Sequence, residues 1–128
     1  MTGPILLKRI LIVDDSSLIR RNLRRTLESV DDWQVVGEAV NGREGIEKAN
    51  ELRPDLIVLD LSMPVLNGFE AGRNLHKTMP EIPLILYSLH TDKNVEKEAL
   101  ALGFSSVLSK SADTNDLLNE ARTLLQSH

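Results

Sequence analysis

Three aspartates stand where charge is least expected. Asp14 and Asp15 directly follow the apolar run Ile10-Leu11-Ile12-Val13, and Asp60 directly follows Leu56-Ile57-Val58-Leu59. Short, uniformly apolar, β-branched runs of this kind read as strands covered on both faces. If two such strands lie parallel in one sheet, all three carboxylates gather at the same edge. Carboxylates that close cannot all stay ionised without a counter-charge. A hard divalent cation with oxygen ligands, magnesium above all, resolves the conflict. Two further residues end strand-like segments: Ser88 closes Leu84-Ile85-Leu86-Tyr87, and Lys110 follows Ser106-Val107-Leu108-Ser109. A carboxylate nucleophile flanked by Mg2+, a lysine and a hydroxyl is a fitting acceptor for a phosphoryl group. On this reading Asp60 is the nucleophile, and Asp14 and Asp15 serve the metal. A backbone carbonyl from the loop after Asp60 completes the ligand set, and Lys110 and Ser88 bind the phosphoryl oxygens.

The elements needed to position these groups can be read in order. Residues 1–7 form a loose leader, and Lys8 to Val13 is the first strand. Asp14-Asp15-Ser16-Ser17 offers caps for a helix running to about Val30, with Ile19, Leu23, Leu27 and Val30 on one face. Trp33 to Ala39 is a second, less apolar strand suited to a sheet edge. Asn41-Gly42 signals a turn before a helix from about Arg43 to Leu52. The third strand is Leu56 to Leu59. The loop Asp60-Leu61-Ser62-Met63-Pro64-Val65-Leu66-Asn67-Gly68 leads to a helix from about Phe69 to Met79. After the fourth strand, Asp92 caps a helix closed by Gly103. A weaker fifth strand, Ser106 to Ser109, precedes a last helix starting near Thr114.

Strict alternation of five strands and five helices predicts an α/β fold with one parallel sheet, helices on both faces and right-handed crossovers. By analogy with the flavodoxin-like, doubly wound (βα)5 arrangement, the expected strand order is 2-1-3-4-5. That order makes Asp60 central, with the acid pair on one side and Ser88 on the other. Lys110 lies two strands away, within reach of its side chain.

Composition narrows the classes further. The chain has 128 residues, 41% hydrophobic and 27% charged, as expected for one globular domain. A net charge of −4 argues against direct nucleic-acid binding. With no cysteine, neither a disulfide framework nor a thiolate metal site can form. No segment has a signal-peptide layout or membrane-spanning length, so the expected location is the cytoplasm, with no membrane partner.

Taken together, Ile12-Val13-Asp14-Asp15, the Asp60–Gly68 loop, Ser88 and Lys110 resemble the receiver domain of two-component response regulators, including stand-alone, chemotaxis-regulator-like members. The likeness runs over residues 8–126 as a single domain. It implies that Asp60 is phosphorylated by a sensor histidine kinase or phosphotransfer protein. It further implies that Asp15, Asp60 and the Ser62 carbonyl ligate Mg2+, with Asp14 acting mainly through water. Phosphorylation would then control binding to a downstream protein target, and homodimerisation on phosphorylation is left open. The domain would be a signalling switch whose own chemistry is limited to phosphorylation and slow dephosphorylation, not an enzyme acting on other substrates.

Three positions depart from the family pattern. Val107 stands where an aromatic switch residue is common, Ser111 where proline often follows the lysine, and Leu89 where a small residue usually follows Ser88.

Blander readings accompany the sharp ones. Asp14-Asp15 alone could be a helix-capping loop. His90, near the pocket mouth, is either a solvated loop residue or a modulator of the phosphorylated state's lifetime. His76 and His128 read as surface residues, and Trp33 as packing. Arg20, Arg21, Arg24 and Arg25 form either a solvated helix face or a docking face for a kinase domain. The first rival function is a receiver-like module that binds partners without phosphorylation. The second is an aspartyl phosphatase, disfavoured because Ser62 stands where such enzymes usually place a second acid.

Overall fold

The structure, a computed structural model, describes residues 6–126. The first five residues of the expected leader, and His128, lie outside the described residues. Leu6 and Leu7, the rest of that leader, precede the first strand and are exposed.

The elements alternate strictly. They are β1 (Lys8–Val13), α1 (Ser17–Leu27), β2 (Trp33–Ala39), α2 (Gly42–Leu52), β3 (Leu56–Leu59), α3 (Gly68–Thr78), β4 (Leu84–Ser88), α4 (Lys93–Leu102), β5 (Ser106–Ser109) and α5 (Thr114–Gln126). All strand pairs are parallel, and the sheet order is β2-β1-β3-β4-β5, as the analogy predicted.

Alternation along each strand builds two cores. Leu11, Val13, Ile57, Leu59, Leu84 and Leu86 point to one face, where Ala49 of α2, Ala71 and Leu75 of α3 and Ala99 of α4 cover them. Ile10, Ile12, Leu56, Val58 and Ile85 point to the other, under Leu23 and Leu27 of α1 and Leu117, Ala121 and Leu125 of α5. A fully buried Leu or Ile contributes about 1.5–3 kcal/mol, so the central strands dominate the stability. Every residue of β3 is buried, whereas none of β5 is. The edge strand β2 carries a bulge, with Ile10 opposite Val35 but Leu11 opposite Gly37, leaving Val36 unmatched.

The helix starts are set by short polar side chains. Ser16, Asn41, Asn67 and Asp92 each accept a backbone N–H three residues on, from Ile19, Glu44, Glu70 and Val95. Gly103, at φ 108°, ends α4 in the left-handed region. The first helix is shorter than expected, ending at Leu27 rather than near Val30. The Glu28 side chain turns away to accept the Val35 N–H at 2.9 Å, and Val30 caps the turn by accepting the Trp33 N–H at 3.0 Å. The apolar periodicity through Val30 reflects packing on the α1–α5 core, not continued helix. None of the described helices is long and apolar enough to cross a membrane.

Candidate functional site

The carboxyl ends of β1, β3, β4 and β5 converge on one cavity of about 340 Å³. Asp14, Asp15, Asp60, Ser62, Ser88 and Lys110 all line it. The sequence had singled out each of these six. Ser16, Ile19, Leu89 and His90 complete the wall.

Register explains the convergence. Val13 pairs with Leu59, so the residues that follow them, Asp14 and Asp60, leave the sheet side by side. The Asp14 N–H reaches the Ala39 carbonyl at 3.0 Å, and the Asp60 N–H reaches Val13 at 2.8 Å. Both backbones are therefore fixed by the sheet. Asp14 and Asp60 are buried, while Asp15 is exposed. Carboxylate oxygens of the three lie within 4.8 Å of one another.

Lys110 supplies the counter-charge. Its Nζ lies 2.7 Å from Asp14 Oδ2 and 3.2 Å from Asp60 Oδ1. Burial alone would push this ammonium toward losing its proton. The hydrogen bond and charge of Asp14, and then the charge of Asp60, outweigh burial and hold its pKa above the ordinary value. Asp60 moves in the opposite sense for an acid. Burial first, then the charge on Asp14, raise its pKa above the ordinary value, with Asp15 adding slightly and Lys110 only partly compensating.

The loop after Asp60 is shaped by close backbone approaches. A Cβ on Gly68 would meet the Asp60 carbonyl oxygen at 2.1 Å, so only glycine fits there. The Gly68 N–H closes the loop on the Leu61 carbonyl at 2.8 Å. Val65 adopts φ 70°, with the Leu66 N–H reaching back to Pro64 at 2.7 Å. This three-residue turn is costly for a β-branched residue.

At the opposite wall, Ser88 Oγ accepts the His90 N–H at 3.3 Å. Leu89, standing where a small residue is usual, lines the cavity and remains 66% exposed. Val107 points to the other side of β5 and packs on the α2–α3–α4 core. Among the described residues no peptide bond is cis, including Lys110–Ser111. His76 lies exposed on α3, and Trp33 is buried packing with Arg122 5.8 Å above its ring.

The four arginines of α1 divide into two that pair with β2 and two that face solvent. Arg20 and Arg24 are not a free solvated or docking face. Both are committed to Glu38 on β2, at 2.9 and 2.7 Å. Arg20 also donates to the Asp14 carbonyl at 2.8 Å and so helps fix the acid pair. Only Arg21 and Arg25 remain exposed. The i, i+4 spacing of Arg20 and Arg24 was visible, but their shared partner lies on another element, beyond any local pattern.

Comparison with known proteins decides the family. The profile of the response regulator receiver domain matches residues 10–122. This chain belongs to the response regulator receiver domain family. A protein-glutamate methylesterase/protein-glutamine glutaminase of Methanococcoides burtonii is 42% identical over 127 residues, covering 92% of this chain and 36% of that protein. The response regulator GacA of Pseudomonas viridiflava is 33% identical over 114 residues, covering 89% of this chain and 53% of GacA. This receiver domain thus spans between about a third and about half the length of those relatives. Among solved structures, the response regulator domain of Thermotoga maritima CheB superposes with a TM-score of 0.87 at 34% identity, covering 94% of this chain and 97% of that one. A LuxR-family regulator from Aurantimonas gives 0.91 at 28% identity, covering 95% and 87%.

The donor set around the receiver's acidic pocket fits a hard cation: carboxylate oxygens from three residues, with Ser62 on the adjoining loop and no nitrogen or sulfur donor in the cluster.

Proposed function

We propose that Asp60 is the phosphoryl acceptor of this receiver and that its phosphorylation switches protein partner binding. The observation that supports this most is the placement of Lys110, whose ammonium sits 3.2 Å from Asp60 in a cluster that also holds buried Asp14 and exposed Asp15. A carboxylate oxygen of Asp60 attacks phosphorus, and the bond from phosphorus to the donor breaks. With a phosphohistidine donor on a sensor kinase or phosphotransfer protein, the imidazole nitrogen departs and takes up a proton from water. With acetyl phosphate, acetate departs.

Lys110 meets the charge on the phosphoryl oxygens, and the Ser88 hydroxyl donates a hydrogen bond to one of them. Asp15, Asp60 and the Ser62 carbonyl would hold Mg2+ directly, with Asp14 acting through water. When bound, magnesium neutralises charge gathering on the transferred group. Slow reversal follows when water attacks phosphorus at the same site, releasing inorganic phosphate and restoring the carboxylate.

Residues 8–126 act in this reading as one receiver domain with no chemistry on other substrates. It works in the cytoplasm, and its output passes to a downstream protein or a second phosphorylated copy. The rival module that works without phosphorylation is not favoured, because every group the transfer needs lines the one cavity.

Intact-mass measurement after incubation with Mg2+ and acetyl phosphate tests the proposal. A single phosphoryl adduct in the wild type, absent in Asp60→Asn, is expected. No adduct with any small phosphodonor or divalent cation would overturn it.

A further inference from the structure

Lys110 is poorly held by its own strand. β5 is an edge strand of four residues, none of them buried, yet the Lys110 ammonium must reach past β4 to Asp60 and past β3 to Asp14. A four-carbon stem of this kind loses about 2 kcal/mol of rotamer entropy when fixed, so something must wall it in. The backbone contributes one restraint, because the Lys110 N–H donates to the Ser88 carbonyl at 2.9 Å.

The side chain borders two cavities. One is the acidic pocket. The other, of about 200 Å³, lies between α1 and α5 and is lined by Ile19, Tyr87, Thr114 and Leu117 among others. Only Ile19 and Lys110 belong to both, so the lysine stem is part of the partition between them.

Tyr87 is the single aromatic side chain in that second wall. It immediately precedes Ser88 and pairs with Leu108, two residues before Lys110. Its half-buried ring packs on the α1–α5 core, on the sheet face opposite Val107. Burial raises the Tyr87 phenol above its ordinary pKa, with the charge of Lys110 acting against burial and that of Asp14 with it.

We infer that Tyr87 is a positioning residue for Lys110: its ring fills the α1–α5 side of the partition and keeps the lysine stem turned toward Asp14 and Asp60. Removing the ring would enlarge the second cavity and let the stem fall into it, drawing the ammonium away from Asp60. This rests on the reading of Asp60 as acceptor. A plain packing role for Tyr87 makes a different prediction, namely a loss that does not depend on Lys110.

A double-mutant cycle on the full chain separates the two. Rates of phosphorylation by acetyl phosphate with Mg2+ are read by intact mass for wild type, Tyr87→Ala, Tyr87→Phe, Lys110→Ala and the Tyr87→Ala/Lys110→Ala double variant. Tyr87→Ala is expected to slow the reaction roughly tenfold, since misplacement by about 1 Å can cost up to a hundredfold. Tyr87→Phe restores the rate, and Tyr87→Ala has little further effect once Lys110 is gone. Tyr87→Val replaces the alanine variant in the same cycle, with the same expected dependence on Lys110, if alanine does not fold.

An unchanged rate in Tyr87→Ala, or an equal loss with and without Lys110, overturns the inference while leaving Asp60 as acceptor. A wild type that takes up no phosphoryl group overturns both.

Discussion

Lys110 and Asp14 form a 2.7 Å ion pair although β3 and β4 stand between the strands that carry them. The two side chains are 7% and 2% exposed, so water screens them little. A pair this dry is weak evidence for stability in itself, because desolvation offsets much of the attraction. Its consequence is positional: the ammonium is parked beside Asp60.

Breaking that pair from one side should be costly. Lys110→Met leaves Asp14 and Asp60 buried with no cation between them. A loss of about 3 kcal/mol at neutral pH is expected, the lower end for stranding a buried charge. Urea unfolding in the absence of divalent cations checks it, and the loss should shrink in acid as Asp60, whose pKa is raised, takes up its proton.

Asp60 should itself be a source of instability. Its pKa is raised in the folded state, chiefly by burial and by Asp14. The folded protein therefore binds this proton more readily than the unfolded chain, whose carboxyl titrates near 3.8. Stability consequently falls as pH rises from that value through the folded pKa. Asp60→Asn removes the penalty, so it should stabilise the metal-free protein at pH 7. The gain should fade toward pH 3.8, as urea midpoints across that range will show.

Glu38 carries the opposite sign. Burial raises its pKa, but hydrogen bonds and charges from Arg24 and Arg20 outweigh burial and leave it below 4.5. Its contribution is present above pH 4.5 and lost as pH falls through the folded pKa. Glu38→Gln is expected to cost about 1 kcal/mol at pH 7, the upper end for a partly exposed pair, and little in strong acid. Thermal melts at both ends of the range measure the difference.

These features differ in how legible they were from the sequence. Apolar runs ending in aspartate showed where Asp14, Asp15 and Asp60 would sit, because the first charge after a buried strand marks its carboxyl end. Strand order came by analogy, since alternation alone does not fix which strand crosses where. Arg20 and Arg24 looked like a surface stripe because Glu38, their partner, lies on another element. Val65 could not be read as left-handed, because a β-branched side chain argues against that conformation. Tyr87 read only as part of an apolar strand, and that it shares a cavity wall with Lys110 emerged only from the fold.

Gly68→Ala should damage the site through the backbone. The added Cβ would sit 2.1 Å from the Asp60 carbonyl oxygen, so the loop must shift. Overpacking of this kind costs about 1–3 kcal/mol. Calorimetric titration with Mg2+ should show weaker binding than the wild type, beyond any change in melting temperature.

The identity of the acceptor is the central claim. An acyl phosphate on aspartate is reduced by borohydride to homoserine, which marks the modified position permanently. Peptide mass analysis of the protein after acetyl phosphate, Mg2+ and borohydride should find homoserine at position 60. Homoserine at position 14 or 15 instead, or at none of the three, would contradict the assignment of Asp60 as the phosphoryl acceptor.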